Sequence, residues 1–184
     1  GLVSMVYFTA YYVLPGRVGG VLIAQVLVPL MWLTVASATY FLARAEGEHN
    51  RVLTRGYLWV GLLVGSFQLA ALIMAGLFMG FGNSPYASSI PGMMTNFAYV
   101  ASMLIGMEFS RAYLVSALSK RGLVLVIGVV VVVYALLLIA PARYATLANP
   151  DETARFVGRF IVPNISESLL TTFLAYTGGP VAAI

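Results

Sequence analysis

Glu108 and Arg111 stand three residues apart inside an otherwise apolar run, residues 94–116. On a helix that spacing makes their side chains neighbours, able to form an ion pair. An ionisable group within such a run is costly to place and marks a functional position by default. The blander alternative is a pair near the helix end, with Arg111 extending its stem towards a polar surface. Glu167, in PNISESLL, is the third candidate. It follows Pro163 and is expected in the first turn of a helix capped by Ser166 or Asn164, where the helix dipole favours a carboxylate. A ligand-binding or proton-transfer role is its functional alternative.

The rest of the chain excludes more chemistry than it offers. There is no cysteine, hence no disulfide, thiolate nucleophile or cysteine metal site. His49, the one histidine, stands in a polar connection and cannot build a histidine-rich metal centre. No H-E-x-x-H, Walker loop, G-x-G-x-x-G or G-x-S-x-G is present. Asp151 is the sole aspartate, so no aspartate-rich magnesium motif exists. No histidine lies within an apolar run to ligate haem. Ser88 and Ser89 have no base beside them, and Ser119 next to Lys120 falls on an exposed turn with nothing to activate the lysine. The sequence therefore assigns no catalytic residue, no metal and no cofactor, and leaves open whether the protein is an enzyme.

Composition explains why the charged candidates matter. The 184 residues are 61% hydrophobic and 9% charged, with a mean hydropathy of +0.95. A soluble domain carries about 25% charged residues. The net charge of +4 comes from only 10 basic and 6 acidic side chains. This argues for a bilayer as partner and against nucleic acid.

A helix needs about 20 apolar residues to cross the hydrocarbon core. Residues 18–42, 57–80, 94–116 and 123–140 meet or approach that length and are expected to span. Pro29 is expected to kink the first of them. Residues 1–14 and 165–184 read as partial spans at the two ends, so the chain is expected to be one transmembrane domain within a longer protein. Pro15-Gly16, the polar segment 43–55, the uncharged segment 81–93 and SKRG at 119–122 are the connections. Residues 141–162 carry three arginines and two acids and read as an amphipathic helix at the interface. Asn149 and Pro150 are expected to start it, Phe156, Phe160 and Ile161 to share a face, and Pro163 to end it. The expected fold is thus an all-α polytopic bundle with four complete spans, two partial ones and an interfacial helix. Gly61, Gly65, Gly76 and Gly80 have the small-residue spacing that lets helix backbones approach. Gly178, Gly179 and Pro180 are a candidate hinge in the last span.

Basic residues set the orientation of such a bundle. Segments 43–55 and 117–122 carry Arg44, Arg51, Arg55, Lys120 and Arg121, while segment 81–93 has no basic residue. Both basic connections are expected in the cytoplasm, with segment 141–162 outside it. Tyr7, Tyr11, Tyr12, Tyr86 and Tyr144 suit an interfacial aromatic belt.

Two stretches, residues 83–118 and 162–184, resemble the multi-spanning membrane region of long archaeal signal peptidases. The most specific pieces are G-M-E-F-S-R-A-Y-L and L-A-Y-T-G-G-P. The resemblance implies the membrane module of a protein acting on secreted or membrane-protein precursors. It also implies a catalytic serine, with a lysine or histidine, outside these residues. The rival reading is a transporter, channel or translocation-associated subunit in which Glu108 faces a cavity and works with Glu167. A third is a helical scaffold assembling other membrane subunits. A water-filled cavity reaching Glu108 favours the rival; a dry bundle with Glu108 bonded only to Arg111 counts against it.

Overall fold

The computed structural model describes residues 2–14, 26–46, 55–79, 89–119, 122–139, 143–144, 147 and 150–184. Every regular element among them is helical. In chain order these are α1 (Leu2–Phe8), a π-helical turn (Thr9–Val13), α2 (Val28–Ala45), α3 (Arg55–Met79), α4 (Ile90–Leu118) and α5 (Leu123–Leu137). Then come α6 (Pro150–Phe156), a second π-helical turn (Val157–Ile161), α7 (Val162–Gly178) and α8 (Pro180–Ala183). Pro15, Gly16, His49, Gly80, Tyr86, Lys120, Arg121 and Asn149 lie outside the described residues.

Local chemistry explains the boundaries. α4 starts earlier than the expected end of the 81–93 connection. Ser89 is extended and its Oγ accepts a hydrogen bond from the Gly92 N–H at 3.3 Å. Pro91 then fits the first turn, where a missing N–H is harmless. At 29 residues α4 is about 43 Å long. It is long and apolar enough to cross a membrane, while the apolar stretches Gly56–Ala71 and Leu123–Leu137 are shorter. Gly122, with φ 123°, turns the chain from α4 into α5, a conformation that favours glycine. Pro29 stands in the first turn of α2, and residues 18–25, the start of the segment it was expected to kink, lie outside the described residues.

The expected break at Pro163 is absent. The chain stays helical from Pro150 to Gly178. A proline ring inside a helix crowds the carbonyl four residues back. Here that residue is Arg159, which lies in the π-helical turn, and the wider turn accommodates the ring. The real break is at Gly179, whose φ of 86° separates α7 from α8.

Helix packing rests on small residues. α2 presents Val28, Trp32, Val35 and Thr39, a buried stripe at helical spacing. α4 meets it along its small residues: a Cβ added to Gly106 would lie 2.7 Å from the Trp32 carbonyl oxygen. Ser102, Gly106 and Ser110 place a small buried residue every fourth position on α4. α5 adds Val126, Val130 and Tyr134 to the same core. Two tyrosine hydroxyls satisfy carbonyls at the end of α5. Tyr7 donates to Ile139 at 2.9 Å and Tyr144 to Leu136 at 2.7 Å. Tyr7 is therefore buried against the bundle and not in an aromatic belt, whereas Tyr12 is exposed.

The outside of the bundle is apolar. Phe67, Phe78 and Val124 are each at least three-quarters exposed, at 75%, 82% and 86%. Only 17% of the most apolar window of α4 is buried, unlike the core helix of a soluble domain.

Candidate functional site

Charge meets burial on one face of α4. Arg111 is 1% exposed and Glu108 4%. Arg111 Nη1 lies 3.3 Å from Glu108 Oε1, but out of line for a hydrogen bond. The contact is an ion pair by proximity. Arg111 does not extend to a polar surface; it is among the most deeply buried side chains of the bundle.

α5 supplies the other half of its seat. The Tyr134 ring faces the guanidinium, with Arg111 Cζ 4.6 Å from the ring centroid. A cation over an aromatic face gains more when water is excluded. The Tyr134 hydroxyl is 2.7 Å from Ser110 Oγ. Ser110 already donates its single proton to the Met107 carbonyl at 2.8 Å, so Tyr134 is the donor to it. Ser168 on α7 ties that helix to α5 by donating to the Val131 carbonyl at 2.9 Å. Ion pair, ring and serines thus join α4, α5 and α7 in one buried polar seam.

The seam is incompletely satisfied. Glu108 Oε2, Arg111 Nε and Nη1, and Thr172 Oγ1 are buried without a hydrogen-bond partner among the described residues. Buried polar groups are nearly always partnered, so unmet ones call for an explanation.

A cavity of about 460 Å³ adjoins them. It lies between α3, α4, α7 and α8, and Glu108, Arg111 and Glu167 all line it. Ser66 and Gln68 of α3 and Thr171 of α7 add polar groups, and leucines from α3, α4 and α7 form much of its apolar wall. Glu167 is not in the first turn of a helix, because α7 continues from α6 with no free N-terminus and no side-chain cap. Ser166 does not cap either; it donates back to the Val162 carbonyl at 3.0 Å. Glu167 is an exposed carboxylate on a helix face that borders the cavity.

Not every glycine of the expected packing set packs. Gly61 does: an added Cβ would lie 2.5 Å from the Ala182 carbonyl oxygen. Gly65, one turn on, has nothing within 4 Å of that position and lines the cavity. Gly76 lies on α3, and nothing is described of its surroundings. Gly178 is tight, with an added Cβ 2.6 Å from Tyr57 Cβ and from Ala182 Cβ. Gly179 and Pro180 redirect α8 so that Val181, Ala182 and Ala183 close one side of the cavity.

Sequence reasoning found Glu108, Arg111 and Glu167 but not Tyr134, Ser110, Ser168 or Thr172. A signal existed for Tyr134. It is the only polar side chain in LVLVIGVVVVVYALLLIA, residues 123–140. The serines and threonine gave none, since such residues are common in apolar helices, bonded to their own backbone.

Among the described residues there is no group of His, Cys, Asp and Glu able to hold a metal ion. His49 and Lys120, the side chains able to activate a serine, lie outside them. No protein-family model matches the chain, and comparison with curated proteins and with solved structures finds no match either.

Proposed function

We propose that this chain is the core of a multi-pass membrane protein that holds a small polar solute in an intramembrane cavity, as a transporter or channel does. One observation carries the reading: Glu108, Arg111 and Glu167, from two helices, line a single cavity of about 460 Å³. That lies within the roughly 300–1,000 Å³ of small-molecule sites. Carboxylates in a membrane helix bundle face such cavities or pair internally, and Glu108 does both. The many exposed aromatic and aliphatic side chains among the described residues support bilayer embedding, because large exposed apolar patches are rare on soluble monomers.

The test uses the absence of cysteine from the chain. In native membranes, Thr171→Cys and Ser66→Cys, which line the cavity, react with a small hydrophilic thiol reagent. Phe67→Cys, on the exposed flank of α3, does not. If the two cavity positions react only with lipophilic reagents, the space is filled by lipid and the solute reading is wrong.

A further inference from the structure

The charges around the cavity do not balance, and the imbalance has a sign. Glu108 and Glu167 contribute two negative charges and Arg111 one positive charge. Arg111 has its charge met by Glu108 Oε1 at 3.3 Å and by the face of Tyr134 at 4.6 Å, although its Nε and Nη1 find no hydrogen-bond acceptor among the described residues. Glu108 Oε2 is left as a buried acceptor without a partner, on a side chain at least nine-tenths buried that lines the cavity. A charged acceptor out of water is costly until a donor of opposite charge reaches it.

Much of the remaining wall is aliphatic, beside the polar Ser66, Gln68 and Thr171. Leu62, Leu69, Leu104, Leu170 and Leu174 face the same space. A hydrated inorganic cation gains nothing from such a wall. A cation with N–H donors at one end and a hydrocarbon body at the other satisfies both parts.

Building on the solute-cavity reading, we propose that the ligand is a small organic monocation with a primary ammonium group. The ammonium sits between Glu108 Oε2 and Glu167, and its apolar body lies against the leucines. One positive charge brings the three protein charges and the ligand to neutrality.

The experiment measures binding of n-hexylammonium, leucine, hexanoate and sodium ion to the purified protein in detergent micelles, by thermal shift and calorimetry. Hexylammonium is expected to bind and raise Tm, and the other three to bind at least about tenfold more weakly, or 1.4 kcal/mol. Glu167→Gln is expected to weaken hexylammonium by about tenfold, as is Glu108→Gln where that variant folds. Gly65→Leu fills the cavity from a position with nothing within 4 Å, so it is expected to abolish binding while Tm of the free protein holds. Leucine or sodium binding as tightly as hexylammonium overturns the organic-monocation assignment and leaves the solute cavity standing. Hexylammonium binding that survives both Gly65→Leu and Glu167→Gln overturns the site. Absence of any binding, with Thr171→Cys inert to hydrophilic reagents, overturns this assignment and the solute reading together.

Discussion

Arg111 shows how a charge is kept inside an apolar bundle. Its guanidinium has a carboxylate on one side and an aromatic face on the other. The two supports separate by mutation. Tyr134→Phe keeps the ring and loses the hydrogen bond to Ser110 Oγ, an expected cost of about 1 kcal/mol. Tyr134→Leu also removes the π face, adding about 2 kcal/mol for a desolvated cation. Unfolding of the two variants in detergent micelles distinguishes them, and equal losses would show that the ring face contributes nothing. Glu108→Gln leaves Arg111 buried without its counter-charge and is expected to cost about 3–5 kcal/mol. Pairing it with Arg111→Met should recover most of that loss, and a strictly additive double variant would mean that the pair is not coupled.

Two of the close helix contacts among the described residues depend on a missing side chain. Gly106 lets α4 touch the Trp32 backbone of α2, and Gly61 lets α3 touch the Ala182 carbonyl of α8. A main-chain oxygen cannot swing aside as a flexible side chain can. Gly106→Leu is therefore expected to separate α2 from α4 at a cost of about 3 kcal/mol or more, while Gly65→Leu leaves stability unchanged or slightly higher. Tm values of the two variants, side by side, check the contrast. The sequence spacing of Gly61 and Gly65 made them look equivalent, yet one packs and the other lines a cavity. Spacing says that two residues share a face and not what lies opposite. The stripe Ser102, Gly106 and Ser110 was equally present, but two of its members are serines and it did not stand out. Pro163 misled for a different reason: a local rule ends a helix there, and a π turn placed one turn earlier cancels it.

At the scale of the whole molecule, helical class and the three charged candidates were legible because both follow from hydropathy and from exceptions to it. The cavity was not, since it depends on how α3, α7 and α8 lean on α4. Sidedness lies between these extremes. Basic residues are the reason segments 43–55 and 117–122 are expected on one side, and the described residues at the start of the first and near the end of α4 do meet. The Tyr113 hydroxyl on the last turns of α4 donates to Glu46 Oε1, just beyond α2, at 3.0 Å. Ser89 begins α4, about 43 Å along its axis from Leu118. If α4 spans the bilayer, Ala45 and Ser119 share one surface and Ser89 is on the other. In sealed, right-side-out vesicles, Ser89→Cys is expected to react with an impermeant thiol reagent. Ala45→Cys and Ser119→Cys should stay protected until the vesicles are opened. Labelling of Ser89→Cys and Ser119→Cys from the same side would mean that α4 does not cross. The inverse pattern would turn the bundle over while keeping it a span, because the ends of α4 would still be on opposite sides.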